Sequence, residues 1–280
     1  MVDQTLIEAG FRKALDQHGY SFQYAVLRIV NELHKVNSPW FPVVPEFGVE
    51  AKGRDTRIDF VLGTRTARLF LVCECKRANP ATANWCFAQA DWPDKEHHKA
   101  KTTAAALRRT PEGHPRINQA NVLYAEQGYQ VALQVRTSET GEASGSGRGD
   151  IEEASTQVCR GLNGLLDFFS TRDDLLPHGT TAWFVPVVFT TAALWTSTVD
   201  LGSSDIATGR LPAGDLGLVR KDWLWLDYPQ SPGIKHSLLH DPVVPRSLRD
   251  IFYAEGLRRV AIVSPTGIEP FLTAPPWDLS

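Results

Sequence analysis

Residues 57–77 read RIDFVLGTRTARLFLVCECKR, and they hold two carboxylates and a lysine suited to phosphate chemistry. Side chains alternate across an extended strand. Asp59 and Val61 then share one face of a first strand, with Ile58, Phe60 and Leu62 on the other. On the next strand Phe70, Val72, Glu74 and Lys76 share a face, and Leu69, Leu71, Cys73 and Cys75 share the opposite one. A hairpin turn over residues 63–68 brings Asp59 beside Glu74. Two carboxylates and an ammonium on apolar strands are costly to bury unless they pair or bind a cation. Two hard oxygen ligands suit Mg²⁺, with Mn²⁺ as a substitute, and Mg²⁺ shares its shell with waters and substrate phosphate. A lysine two residues beyond one ligand can hold the attacking water or stabilise charge developing on phosphate. These are the parts of phosphodiester hydrolysis. An E-x-K triplet alone is common, and a buried carboxylate–lysine pair at a strand end is the plain alternative. The combination favours catalysis: I-D-F in one strand, a turn, then an apolar strand ending in E-C-K, with amphipathic helices on both sides.

Those helices and strands follow from periodicity. Ile7, Phe11, Ala14, Leu15 and His18 recur at helical spacing over residues 5–18. Thr5 and Glu8 form a T-x-x-E capping box, and Gly19 is a natural stop. A second helix is predicted over 21–36, capped by Ser21, with Phe22, Val26, Ile29, Val30 and Leu33 as its buried stripe. Strands follow at 43–50, 57–62 and 69–76, the first broken by Pro45 and Gly48 and therefore at an edge or bulged. Residues 77–150 are polar and lack a clean period, with a strand pair expected from 122–124 and 129–135 and a flexible loop at 141–149. A strong helix spans 151–170, with Val158, Leu162, Leu165, Leu166 and Phe169 on its apolar side. Residues 182–194 read as one buried strand despite Pro186. A further strand at 222–228, a helix at 245–256 and a short buried strand at 259–264 complete the pattern. The class is α/β around one mixed sheet. Residues 1–195 are expected to form the core, with an insertion at about 78–150, and 196–280 a C-terminal extension packed on the same domain.

The chain's 280 residues, 42% hydrophobic and 22% charged, suit a globular protein and rule out collagen-like or wholly disordered readings. No apolar run approaches the roughly 20 residues that cross a bilayer. The first residues lack the pattern of a signal peptide, so the expected compartment is cytoplasmic. A net charge of −3 excludes a generally basic, histone-like protein but leaves room for a local basic groove. Arg54, Arg57, Arg65, Arg68 and Arg77 cluster around the hairpin and are candidates to guide a nucleic-acid backbone. Cys73, Cys75, Cys86 and Cys159 have neither the number nor the spacing of a disulfide or zinc framework. His97 and His98 lie in a polar stretch better suited to solvent or phosphate than to a metal. No Walker loop, dinucleotide fingerprint or G-x-S-x-G elbow is present. Trp85, Trp92, Arg108, Arg109, His114 and Arg116 could stack on bases and touch phosphates, or could be a small core with a charged rim.

The I-D-F strand, the hairpin and the E-C-K strand between two amphipathic helices resemble the PD-(D/E)xK phosphodiesterase superfamily, the restriction-endonuclease-like fold. The resemblance covers residues 20–169 with the strand at 182–194 as its outer limit, and excludes most of 78–150. It implies that Asp59 and Glu74 are metal ligands, helped by the backbone carbonyl of Cys75, and that Lys76 is the catalytic lysine. The Pro-Asp dipeptide is absent, since Ile58 precedes Asp59, a departure the superfamily tolerates. Branches similar to Holliday-junction resolvases and RecB-type nucleases carry a carboxylate on the first core helix, where this chain has Gln23. Glu46 or Glu50 on the first strand could supply the missing carboxylate, and proximity to the hairpin favours Glu50. The same branches place a glutamine on the helix after the ExK strand, a role Gln157 matches loosely. The function so implied is a Mg²⁺-dependent nuclease cutting DNA, most readily an endonuclease, with RNA open as a substrate. Bacterial anti-phage defence, restriction and DNA processing are the settings such enzymes serve, as a homodimer or with a defence-system partner protein. The competing class is a nuclease-like binding or scaffold module, latent until a partner or ligand activates it.

Overall fold

Two helices open the chain, α1 (Gln4–Gln17) and α2 (Tyr20–Lys35). The computed structural model describes residues 4–66, 68–90, 104–120, 128–137, 143–145, 147–230 and 257–273. The helical period of the first segment is present, but α1 buries none of its residues, and Leu6, Ile7 and Phe11 stand exposed. The T-x-x-E box does not start it. The helix is already formed at Gln4, whose Nε2 donates to Glu8 at 2.8 Å. Ser21 is likewise not the cap of α2: Gly19 occupies that position with φ of +76°, and Ser21 Oγ donates to Asp16. Val26, Leu27, Val30 and Leu33 form the buried stripe of α2.

Strands β1 (Trp40–Ala51), β2 (Arg54–Thr64) and β3 (Leu69–Lys76) form an antiparallel meander. β1 lies at the sheet edge and shifts register between Pro42 and Val44, as its prolines suggest. β3 then pairs in parallel with β9 (Thr181–Thr190), β9 in parallel with β13 (Leu257–Val263), and β13 antiparallel with β12 (Trp223–Pro229). The hairpin of β5 (Ala104–Arg109) and β6 (Pro115–Ala120) joins this eight-stranded sheet through β9. Central parallel strands covered on both faces read as unbroken apolar runs, which explains β9. Pro186 falls between the stretches of β9 that pair with β5 and with β13, so its missing N–H costs no ladder bond on that side.

The protein is thus α/β, with a mixed multistranded central sheet flanked by helices. On one face lie α2 and α4 (Ile268–Thr273), packed with Phe60, Leu62, Leu71 and Val187. The other face carries α3 (Gly149–Ser170), whose Val158, Leu162, Leu165 and Leu166 meet Ile58, Val61, Val72 and Phe184. The segments at 78–150 and beyond 195 do more than decorate this core, because each supplies strands to the central sheet. The expected single strand at 182–194 is two strands. The chain leaves β9 at Thr190, and β10 (Ala193–Ser197) enters a second sheet ordered β11-β10-β4-β7-β8. Here β4 is Asn84–Ala88, β7 is Val131–Thr137, β8 is Ala143–Gly145 and β11 is Val219–Lys221. β7 therefore pairs with β4, and part of the expected loop at 141–149 is strand β8. Residues 122–124, the helix at 245–256, Trp92 and His97-His98 lie outside the described residues. No helix among the described residues is long and apolar enough to cross a membrane.

Gly161 and Gly164 on α3 mark where the helix touches the sheet. A Cβ at Gly161 would stand 2.8 Å from Ile58 Cγ1, and one at Gly164 would stand 2.7 Å from Val49 Cγ2 and 3.0 Å from the Glu50 carbonyl oxygen. Gly164→Ala would gain helix propensity but force β1 off α3, because the clash includes backbone. The variant is expected to unfold at lower denaturant concentration, by about 1–3 kcal/mol. Unchanged or raised stability in a urea titration would contradict the packing.

Candidate active site

β2 and β3 pair from Gly63–Phe70 to Phe60–Cys73 and then separate. The next step of the register would set Asp59 opposite Glu74. The strands splay there, and the Cys75 N–H, beyond the last pair, donates to Asp59 Oδ2 at 2.7 Å. The splay also breaks strict alternation. Ile58 joins Val61 on the α3 side, whereas Phe60 and Leu62 pack on the α2 side. It opens a cavity of about 290 Å³ whose wall includes Gln23, Glu46, Asp59, Glu74, Lys76 and Gln157.

Five elements line this space, β2 with Asp59 and Arg57. β1 contributes Glu46, at φ +52°, a left-handed conformation uncommon for a residue with a Cβ. Its neighbours Pro45 and Phe47 pair with Phe60 and Ile58, the residues flanking Asp59. α2 contributes Gln23, 3% exposed, whose Nε2 donates to Glu46 Oε1 at 2.8 Å and to the Asp59 carbonyl oxygen at 2.9 Å. Gln23 thereby ties α2, β1 and β2 together at the site. β3 contributes Glu74 and Lys76. α3 contributes Gln157 and, one turn earlier, Glu153, which accepts from Lys76 Nζ at 2.7 Å; Asp150 Oδ1 lies 3.9 Å from the same nitrogen.

The structure thus gathers Asp59, Glu74, Cys75, Lys76, Gln23 and Gln157 around one cavity. Glu50 is not among them. It is exposed and pairs with Asp55 near the β1–β2 turn, four residues beyond Glu46. Nearness in sequence to the β2–β3 hairpin counted in its favour, but the antiparallel pairing of β1 with β2 sets Glu50 at the β1–β2 turn and brings Glu46 to Asp59 instead. Of the basic cluster, Arg57 and Arg77 line the cavity. Arg65 and Arg68 lie beside the start of β3, whereas Lys76 ends it, seven residues or about 23 Å of strand away. Arg54 begins β2 near the other turn and does not reach the cavity. Trp85 is fully buried and offers no stacking face, and Arg109 caps the C-terminal end of α3 by donating to the carbonyls of Phe169 and Ser170. Cys73 and Cys159 are buried thiols, whereas Cys75, on the same strand face as Cys73, is partly exposed.

Asp150, Glu153, His18 and Tyr20 were not legible as site residues. Glu153 had one usable signal, its i, i+4 spacing from Gln157 on the helix. His18 and Tyr20 flank Gly19 at the α1–α2 elbow, and no strand or helix period marks them as part of a cavity wall.

Both central carboxyl groups of the site are disfavoured in their ionised form. Burial, then the neighbouring Glu46 carboxylate, pushes Asp59 up to about 6, against the opposing Cys75 N–H bond. Burial and the charge of Asp59 push Glu74 up to about 9, although Lys76 pulls it back. Glu74 is 8% exposed and accepts no hydrogen bond among the described residues. Among the described residues, no three His, Cys, Asp or Glu side chains already close around one point. Two carboxylates and a carbonyl still fit Mg²⁺, which takes few protein oxygens and keeps its waters. Family models, curated proteins and solved structures yield no match to this chain.

Proposed function

We propose that this protein is a metal-dependent nuclease on a restriction-endonuclease-like core, with DNA as its foremost substrate. The observation that carries the reading is Glu74: a carboxylate 8% exposed, without a hydrogen-bond partner among the described residues, beside a second buried carboxylate and a lysine in one open cavity. Such a group is costly unless a cation belongs there. Asp59, Glu74 and the Cys75 carbonyl would hold Mg²⁺ or Mn²⁺, which supplies Lewis acidity at a phosphate oxygen and lowers the pKa of water. Glu46 is the third carboxylate of the cavity, and Gln23 orients it. Lys76, paired with Glu153, orients water and offsets charge on the phosphate. Water attacks phosphorus in line as the bond to the 3′ oxygen breaks, leaving 5′-phosphate and 3′-hydroxyl ends. Restriction, defence against phage and DNA processing all use this chemistry.

A latent binding or scaffold module is the second reading. The Lys76–Glu153 pair favours it, because that pair holds the lysine on α3. Purified protein is to be incubated with plasmid, linear duplex, single-stranded DNA and RNA, each with Mg²⁺, with Mn²⁺ and with chelator. Metal-dependent cutting is expected, strongest on DNA. Tight, salt-sensitive binding without cutting in either metal would replace the first reading with the second.

A further inference from the structure

The catalytic cavity does not end at its own rim. A groove of about 610 Å³ runs beside it along the polar face of α1, and the two share Gln17 and Arg77. Arg77 fixes the junction: its guanidinium donates to the Asp16 carbonyl oxygen at 2.9 Å, bridging the end of β3 to the end of α1. Farther along the groove stand Arg12 and Lys13, both exposed and neither in an ion pair among the described residues. The groove's acids are engaged, Glu8 by Gln4 and Asp16 by Ser21. α1 buries none of its residues, so burial does not account for where it lies.

We infer that the α1 groove carries the sugar–phosphate backbone of a single nucleic-acid strand leaving the catalytic cavity, with Arg77, Lys13 and Arg12 as successive phosphate contacts. The inference rests on the nuclease reading and adds the strand's path to it. From Gln17, which lines both the cavity and the groove, to Lys13 is four residues of helix, about 6 Å of rise, a step an extended strand can follow phosphate by phosphate. Arg12, Lys13 and Arg77 outnumber Glu8 and Asp16, the two carboxylates of the groove, and make a phosphate track beside the site. His18 and Tyr20 line the cavity at the elbow with their ring centroids 6.5 Å apart, aromatic groups on which a base can stack. The cavity of about 290 Å³ and the groove of about 610 Å³ meet at Gln17 and Arg77, which gives one strand a continuous path from the site along α1.

The test is fluorescence anisotropy of a labelled single-stranded oligonucleotide and of its duplex, with Ca²⁺ in place of Mg²⁺, across a salt series. Arg12→Gln/Lys13→Gln is compared with wild type and with Lys35→Gln/Lys221→Gln, which removes the same charge far from the groove. The groove variant should bind the single strand at least about tenfold more weakly, with its log–log salt slope reduced by about 1.4 for two lost contacts. The remote variant should stay within twofold. Equal losses in both variants, or no loss in the groove variant of a protein that still binds and cuts DNA, would overturn the groove alone. Wild type that neither binds nor cuts any nucleic acid would overturn the nuclease reading and the groove with it.

Discussion

Lys76→Ala is expected to cut DNA about a hundred- to a thousandfold more slowly than wild type while remaining folded, the scale of loss seen when a preorganised group is removed from a transition state. The geometry supports both halves of that expectation. Lys76 is the last residue of β3, with its side chain 18% exposed, and its bonds run to Glu153 and Asp150 on α3 rather than into the apolar core. Glu153 is half exposed, so the pair contributes no more than about 1 kcal/mol to stability. Its removal leaves the Phe60, Leu71 and Val187 packing untouched. Circular dichroism and urea unfolding of the variant should therefore overlay those of wild type. Lys76→Arg keeps the charge but replaces a compact ammonium with a planar fork, and should recover only part of the rate. A Lys76→Ala enzyme retaining more than a tenth of wild-type cutting would remove the lysine from the mechanism.

The trio at the centre of the cavity was legible because it depends on local rules. Alternation along β3 sets Glu74 and Lys76 on one face, and the hairpin sets Asp59 near them. Those rules failed at the point where the strands splay. Strict alternation put Ile58 on the side of Phe60, but the ladder stops at Phe60–Cys73 and Ile58 turns under Gly161. The choice between Glu46 and Glu50 depended on the same feature. Both occupy one strand face in an ideal strand, and only the left-handed turn of the backbone at Glu46, with Gln23 reaching across from α2, decides which one enters the cavity. Contacts across 23 residues of sequence leave no period to read.

At the level of the fold, the long periodic segments were the readable ones. α3 and β3 appear nearly at their expected bounds, since a wide apolar stripe and an apolar run are strong signals. The second sheet was not readable. β4, β7 and β8 are short, and their partners β10 and β11 come from beyond residue 190. The break at Thr191 and Ala192 is marked only by the Thr190-Thr191 pair, because the apolar runs on either side, 187–189 and 192–195, read as one. α1 fails in the opposite direction. Its apolar spacing predicts burial, yet Leu6, Ile7 and Phe11 are exposed, and its polar face is the one turned to the groove beside the cavity.

Metal-free protein is expected to lose stability as pH rises, and Glu74→Gln to be more stable than wild type at pH 8, on the order of 2 kcal/mol. In the unfolded chain the two carboxyl groups titrate near 3.8 and 4.5; folded, Asp59 titrates at about 6 and Glu74 at about 9. Between those limits the native state binds more protons than the unfolded state, so stability falls with rising pH. The fall begins near pH 4, carries the Asp59 contribution up to about pH 6, and continues on Glu74 up to about pH 9. Burial is the main cause for both groups, so neutralising the side chain without changing its shape removes most of the cost. Glu74→Gln should flatten the slope above pH 6 in chemical unfolding. Mg²⁺ acts in the opposite sense. On the proposed reading it would bind the ionised pair in the folded protein only, and so should stabilise wild type at pH 8 by an amount that grows with its concentration, and release protons as it does so. In Glu74→Gln that stabilisation and DNA cutting should both be lost. The two effects separate a ligand from a strut. A structural carboxylate holding the strands together would make Glu74→Gln weaker at every pH, with or without Mg²⁺. A metal ligand makes the variant stronger when the ion is absent and unresponsive when it is present.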